Sequence, residues 1–77
     1  MPIDEQKIDE AVLALLYLTL HDGHRAWKTF DWDTLNRLFK KEFIDDPVNK
    51  SKSVALTDKG LVEAERLFRA MFVNVNE

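Results

Sequence analysis

The segment AVLALLYLTL, residues 11–20, is apolar on nearly every side of a helix. It belongs to a longer stretch, Ile3–Leu20, whose apolar residues recur at three- and four-residue spacing, and this periodicity predicts one α-helix. Asp4 is the expected N-cap, because its carboxylate can accept a hydrogen bond from the first turn. A helix that is apolar all round has to be covered on more than one face. We therefore expect this helix to lie at the centre of the fold or to pack against a second copy of the chain.

The size of the chain restricts how such a helix can be covered. Seventy-seven residues form one domain with a small core, and the sequence contains no cysteine that could crosslink it. We therefore expect a single domain over residues 1–77 that depends on helix packing, on self-association or on both. The polar N-terminal segment MPIDEQKIDE is unlike a signal peptide, and no apolar run reaches the about 20 residues that cross a bilayer. These features predict a cytoplasmic protein.

Two helices and a connector are predicted in the first half of the chain. Gly23 indicates a left-handed turn after the first helix. The segment RAWKTF, residues 25–30, follows as a connector, for which extended and helical conformations both stay open. DWDTLNRLFKKEF, residues 31–43, predicts a second helix with Asp31 or Asp33 as its N-cap.

The second half predicts a β-hairpin and a third helix. Ile44 begins a short strand, residues 45–50 form a turn with Asp and Pro in favoured positions, and residues 53–56 alternate like a half-buried strand. Thr57 is the expected N-cap of the last helix, and residues 74–77 read as a polar tail. The predicted fold class is mainly α with a two-stranded β-hairpin, in the order helix, connector, helix, strand, strand, helix. The apolar residues expected to face the core from the last helix are Leu61, Ala64, Leu67, Phe68, Met71 and Phe72.

The run LNRLFKKEFIDDPVNKSKSVALTDKG, residues 35–60, resembles part of the winged-helix regulators of the MarR and PadR type. In those proteins an LxRLxxKGLI helix end leads into a hairpin and then an LTxxG helix cap. Glu42 stands in place of the helix-ending glycine of that pattern, and Phe43 in place of the leucine that follows it. The resemblance implies a reduced winged-helix fold. The matching positions are Leu35, Arg37, Leu38, Lys41 and Ile44 for the helix, and Leu56, Thr57 and Gly60 for the cap.

Over its whole length the chain also resembles a small bacterial family of uncharacterised proteins, a domain of unknown function of about this size. The stretches KIDEAVLALLYLTLHD, RAWKTFDWDTL and KSVALT carry that resemblance. It implies a bacterial origin and no assigned activity, so it transfers no functional residues to this chain.

Five cationic residues are the candidates for contact with nucleic acid. Winged-helix proteins place the second helix of the motif in the major groove, where basic side chains meet phosphates. Here the start of that helix carries Asp31 and Asp33, and the sequence pI near 5.3 shows no strong basic excess. Solvated charges on a helix face and a turn are therefore the preferred interpretation. The candidates are Arg37, Lys40 and Lys41 on the second helix and Lys50 and Lys52 in the wing.

Three aromatic residues, Trp27, Phe30 and Trp32, lie within six positions of one another. They could stack on a base or line a small-molecule pocket. In a domain of this size, aromatic residues at a helix entry more often fix the connector to the core. We therefore expect all three to be core residues.

No catalytic, cofactor or metal site is predicted. His21 and His24 have the spacing of one helical turn, but a zinc site needs three or four ligands and cysteine is absent. Neither histidine has the partners of a catalytic triad, and no glycine-rich phosphate loop occurs. The acids of the first helix are expected to be solvated, as at any polar helix entry; they are Asp4, Glu5, Asp9 and Glu10.

The leading function prediction is a non-catalytic interaction module that forms a homodimer. Leu13, Tyr17 and Leu20 are the candidate dimer interface, because a small monomer has little room to bury them all. The alternative is a DNA-binding transcriptional regulator that contacts phosphates through the second helix and the wing. No membrane partner is expected, and the sequence names no small-molecule ligand.

Overall fold

The computed structural model describes residues 1–28 and 30–74. Three helices and two strands follow one another along the chain. The predicted class, mainly α with one two-stranded antiparallel sheet, is confirmed. Thr29 of the connector and residues 75–77 of the predicted tail lie outside the described residues. The elements are α1 (Glu5–Leu18), β1 (Arg25–Trp27), α2 (Trp32–Lys40), β2 (Ser53–Ala55) and α3 (Asp58–Phe72).

The sheet joins the connector to the predicted second strand. Arg25 lies opposite Ala55, Ala26 opposite Val54, and Trp27 opposite Ser53, so the connector is extended at these positions. The strand predicted at Ile44 is reduced to a single bridge with Leu56, so the partner expected for β2 was wrong. The alternating side chains of β2 indicate a strand that pairs in a sheet, but they do not identify the segment with which it pairs. The segment after Ile44 contains Pro47, which has no backbone N–H to extend a ladder.

Helix α1 lies at the centre of the fold, as its apolar surface predicts. It packs mainly against α3 and also contacts α2 and β1. Most of its apolar surface is thereby covered within a single chain, although Leu18 at its end stays exposed. The core takes side chains from every element, and its buried members are Val12, Leu13, Ala14, Leu16, Ala26, Leu35, Leu38, Ile44, Val54, Leu56, Ala64 and Leu67.

The helix starts are fixed by the predicted caps. The Asp4 carboxylate accepts from the Lys7 N–H (3.1 Å), and the Asp31 carboxylate accepts from the Thr34 N–H (3.2 Å). The Thr57 hydroxyl accepts from the Gly60 N–H (2.9 Å). Each bond satisfies a donor that the first turn of a helix leaves unpaired. These local signals were readable from the sequence because both partners lie three residues apart.

The end of α2 departs from the glycine pattern of the resembled regulators. Glu42 follows the helix with φ +66°, in the left-handed region that glycine adopts without strain. Its carbonyl oxygen accepts a bond from the Thr57 hydroxyl (2.6 Å), which ties this turn to the start of α3. The tight turn is therefore made despite the missing glycine, at a cost in backbone strain.

Glu42→Gly should raise the free energy of unfolding by about 1 kcal/mol, because the left-handed conformation is strained for a residue with a Cβ. Urea denaturation followed by far-ultraviolet circular dichroism measures the change. Glu42→Ala is the matched control, since it removes the same charge but keeps the strain. An equal gain from alanine would contradict the backbone explanation.

Candidate functional site

Two of the five predicted nucleic-acid contacts bind a buried carboxylate instead. The Asp9 side chain is 3% exposed, and Arg37 donates to it from Nε (2.8 Å to Oδ1 and 3.0 Å to Oδ2). Lys41 Nζ lies 2.8 Å from the second oxygen, Oδ2. The hydrogen bond with Asp9 raises the pKa of Arg37, so the guanidinium stays charged. Arg37 and Lys41 are therefore held against α1, with 26% and 42% of their side chains exposed.

The solvated position expected for Asp9 was wrong. Asp9 is one turn before Leu13 and two turns before Leu16, on the side of α1 that faces the core. That spacing was visible in the sequence and would have indicated a buried acid in need of cations. Glu5, on the same face but one turn earlier, meets Arg37 Nη1 at 3.2 Å and remains 67% exposed.

A cleft of about 310 Å³ opens beside Asp9 and Lys41. It lies between α1, the end of α2 and α3. Leu13, Leu38 and Leu67 form its apolar floor, and Glu10 and Glu63 lie at its rim. Arg66 donates two hydrogen bonds to Glu63 and lowers the pKa of that carboxyl. The Glu63 carboxylate is thus ionised and paired with Arg66, while the Asp9 carboxylate is matched by two cations.

The two tryptophans are not core residues. Trp27 is 45% exposed and Trp32 is 54% exposed, whereas Phe30 packs partly buried against the core. The core prediction therefore fits Phe30 and was wrong for both tryptophans. Trp27 is the last residue of β1 and Trp32 is the first of α2, so each lies at the edge of its element.

The exposed indoles line a cleft of about 450 Å³, named here the tryptophan cleft. It lies between the connector, the start of α2 and the loop that leads into β2. The residues that line it are Trp27, Lys28, Trp32, Asn49, Ser51 and Lys52. The wing candidate Lys52 is thus a lining residue, and Lys50, also exposed, belongs to the same loop.

Hydrogen bonds hold the walls of the tryptophan cleft. Lys28 Nζ donates to the Pro47 carbonyl (2.8 Å) and to the backbone and side-chain oxygens of Asn49 (3.2 and 3.0 Å). The same ammonium lies 5.8 Å from the centre of the Trp32 ring, within cation–π range. The Lys28 N–H also donates to the Lys52 carbonyl (3.0 Å), which continues the β1–β2 ladder by one bond. Lys28 therefore fixes the loop against Trp32.

The predicted dimer residues differ in their exposure. Leu13 is 1% exposed in the single chain, next to Leu38 and Leu67, so in this arrangement it offers almost no surface to a partner. Tyr17 is half-buried, with its ring 5.3 Å from that of Phe68, and Leu20 is partly buried against the core. These two side chains retain some surface that a partner could cover.

The end of α3 is more exposed than its apolar pattern predicts. The Phe68 ring meets Tyr17 in the last full turn of α1 and lies 5.7 Å from the ring of Phe72. Phe72 lies one turn further along α3, past the end of α1, and is 51% exposed. Met71 and Val73 beside it are also exposed, so the core position predicted for Met71 and Phe72 was wrong. Met71, Phe72 and Val73 are named here the α3 apolar end.

Within residues 1–28 and 30–74, no three His, Cys, Asp or Glu side chains are grouped so that they could hold a metal ion. His21 instead stacks on Trp27, with ring centres 4.2 Å apart. Over the same part of the chain, no helix combines the length and apolarity needed to cross a membrane.

Comparison with known proteins gives a family without an assigned activity. The model of a domain of unknown function, DUF6429, matches residues 4–74. The uncharacterized protein y4hR of Sinorhizobium fredii (strain NBRC 101917 / NGR234) is 62% identical over 72 residues, which cover 94% of this chain and 97% of that protein. This relative is bacterial, in agreement with the sequence prediction. No solved structure matches the chain significantly. The chain therefore belongs to the DUF6429 family.

Proposed function

We propose that the chain is a non-catalytic interaction module that forms a homodimer. The proposed interface is the α3 apolar end, together with the exposed parts of Tyr17 and Leu20. The observation that carries the proposal is the row of rings Tyr17, Phe68 and Phe72, which leads from the core to the surface at spacings of 5.3 and 5.7 Å. The row continues the packing of α1 against α3 beyond the point where α1 ends.

A second copy of the chain suits this surface because the surface is apolar at its centre and charge-balanced at its edge. Arg69 on the same helix pairs with Glu65 at 3.0 Å, so the helix brings both signs to a symmetric contact. Burying exposed apolar side chains contributes about 25 cal/mol per Å². Because the core of this chain is small, apolar surface buried by self-association would add to its stability.

Phe72→Asp tests the proposal, because a carboxylate in the apolar contact should weaken self-association at least about tenfold. Sedimentation equilibrium from low to high micromolar concentration measures the dissociation constant. Val62→Asp is the matched control, since Val62 is an exposed apolar residue of the same helix in its first turns. We expect a dimer for the wild type and for Val62→Asp. A wild type that stays monomeric at high micromolar concentration would reject the dimer.

Duplex DNA binding through α2 and the wing remains the second proposal, within a reduced winged-helix arrangement. Lys40, Lys50 and Lys52 support it, because all three are exposed. It is weakened by the attachment of Arg37 and Lys41 to Asp9, which leaves fewer cations for phosphates. This second proposal requires that the chain bind duplex DNA, that the affinity fall steeply as salt is added, and that Lys40→Glu weaken it. The dimer proposal requires no DNA binding.

A further inference from the structure

The tryptophan cleft presents two large aromatic surfaces that the core does not use. His21 covers one face of the Trp27 ring, with the ring planes inclined by 22°. The His21 Nδ1 lies 3.0 Å from the Thr19 carbonyl oxygen, and since a carbonyl only accepts, this nitrogen carries a proton. The imidazole is therefore fixed in place behind the indole. Nearly half of Trp27 nevertheless remains open for a planar ligand to stack on.

The charge of the tryptophan cleft is opposite to that of the chain as a whole. The chain has a net charge of −3. Among the described residues that line the cleft, Lys28 and Lys52 are cationic and none is acidic. The three hydrogen bonds of the Lys28 ammonium leave Lys52 as the more available donor, with Lys50 near it in the same loop. The cleft therefore favours an anionic ligand.

The acids at the start of α2 face another side of the molecule. Asp31 and Asp33 line a separate depression together with Glu5 and Arg37, next to the beginning of α1. The Asp31 carboxylate is also engaged by the N–H and hydroxyl of Thr34, both at 3.2 Å. In the sequence these two acids weakened the case for nucleic-acid binding at α2. In the structure they lie outside the tryptophan cleft.

We propose that the tryptophan cleft binds single-stranded nucleic acid, with bases stacked on Trp27 and Trp32 and phosphates next to Lys52 and Lys50. A planar ligand with a negative backbone matches both the indoles and the lysines. A single strand fits better than a duplex, because its bases are free to stack on side chains instead of on each other. The proposal rests on residues other than those of the proposed dimer interface and does not depend on it.

The first test uses a fluorescein-labelled oligothymidylate of about 12 nucleotides, titrated with the full chain at low salt. Fluorescence anisotropy reports binding, and quenching of tryptophan emission reports stacking. Trp27→Ala and Trp32→Ala should each weaken binding about tenfold, and the phenylalanine variants should restore part of the affinity. Phe39→Ala is the matched control, because Phe39 is an exposed aromatic residue of α2 that does not line the cleft. Circular dichroism confirms that each variant is folded.

The second test separates the tryptophan cleft from the basic residues of α2. Lys52→Glu should weaken oligothymidylate binding and make it less dependent on salt, whereas Lys40→Glu should change it little. Three results would overturn the proposal: no binding at low salt, a loss with Lys40→Glu while both alanine variants bind normally, or tighter binding of a duplex than of the single strand. Thymidine monophosphate that binds as tightly as the oligonucleotide would also overturn it, because the ligand would then be a nucleotide and not a strand.

Discussion

Gly60→Ala is expected to lower the free energy of unfolding by about 3 kcal/mol, although alanine is the better helix former by about 1 kcal/mol. A Cβ at this position of α3 would overlap the carbonyl oxygen of Phe43 and come within 2.7 Å of its carbonyl carbon. These are backbone atoms, so no side-chain rotation can relieve the overlap. Since a domain of this size has only about 4–12 kcal/mol of stability, the loss would be a large fraction of it.

The backbone at Phe43 is held in place by three hydrogen bonds. The Phe43 N–H donates to the Leu38 carbonyl (3.0 Å), and its carbonyl accepts from the Thr57 N–H (3.0 Å). The Thr57 hydroxyl also donates to the preceding carbonyl, that of Glu42 (2.6 Å). Moving α3 away from Phe43 would therefore lengthen the contacts that start α3. This is the physical reason to expect a loss rather than a small shift.

Gly23→Ala is the control that separates steric overlap from backbone strain. Gly23 has φ +85°, but a Cβ there would meet no atom within 4 Å. We therefore expect a cost of only about 1–2 kcal/mol, from the left-handed conformation alone. Urea denaturation of both variants, with the slope compared to the wild type, measures the two effects. A Gly60→Ala protein as stable as the wild type would show that α3 can withdraw from Phe43 at little cost.

Asp9→Asn is expected to have the second largest effect, a loss of about 2 kcal/mol in the free energy of unfolding. The amide keeps the shape but leaves Arg37 and Lys41 without their shared anion. Removing one member of a fully buried ion pair costs about 3–5 kcal/mol. The value here should be smaller, because both cations remain partly exposed and can be hydrated once the anion is gone.

Glu5→Gln is the matched control for Asp9→Asn. It makes the same carboxylate-to-amide change, on the same helix and toward the same guanidinium, but at an exposed position. We expect it to cost less than about 0.5 kcal/mol, as is usual for exposed ion pairs. Chemical denaturation at low and high salt would distinguish the two, since only the exposed pair should be strongly screened. Equal losses from the two variants would mean that burial of Asp9 adds nothing.

The helices and their starts could be predicted from the sequence because the signals are local. A cap such as Thr57 and its partner Gly60 are three residues apart, so their bond depends little on the rest of the fold. The partner of β2 could not be predicted in this way. Its pattern is equally compatible with Ile44 and with Arg25–Trp27, and the pairing that forms places Ala26 opposite Val54, with both fully buried.

The candidate site was harder to predict because exposure depends on where neighbouring elements end. Phe72 continues the row of rings from Tyr17 and Phe68, and it stays uncovered because it lies past the end of α1 at Leu18. Trp27 and Trp32 likewise belong to elements that bury other residues, among them Ala26 in β1 and Leu35 in α2. The ion pair of Arg37 could not be predicted because its partner, Asp9, lies 28 residues away in the chain.

The pairing of Arg25–Trp27 with Ser53–Ala55 has a consequence for the order of folding events. Helix α2 lies within the loop that this pairing closes, so the sheet cannot form as an early local hairpin. The entropy lost on closing such a long loop is recovered only when α2 docks at the same time. The main helix contact, between α1 and α3, also joins opposite ends of the chain. We therefore expect a compact, late transition state and slow folding for a helical protein of this length, without a stable partly folded half.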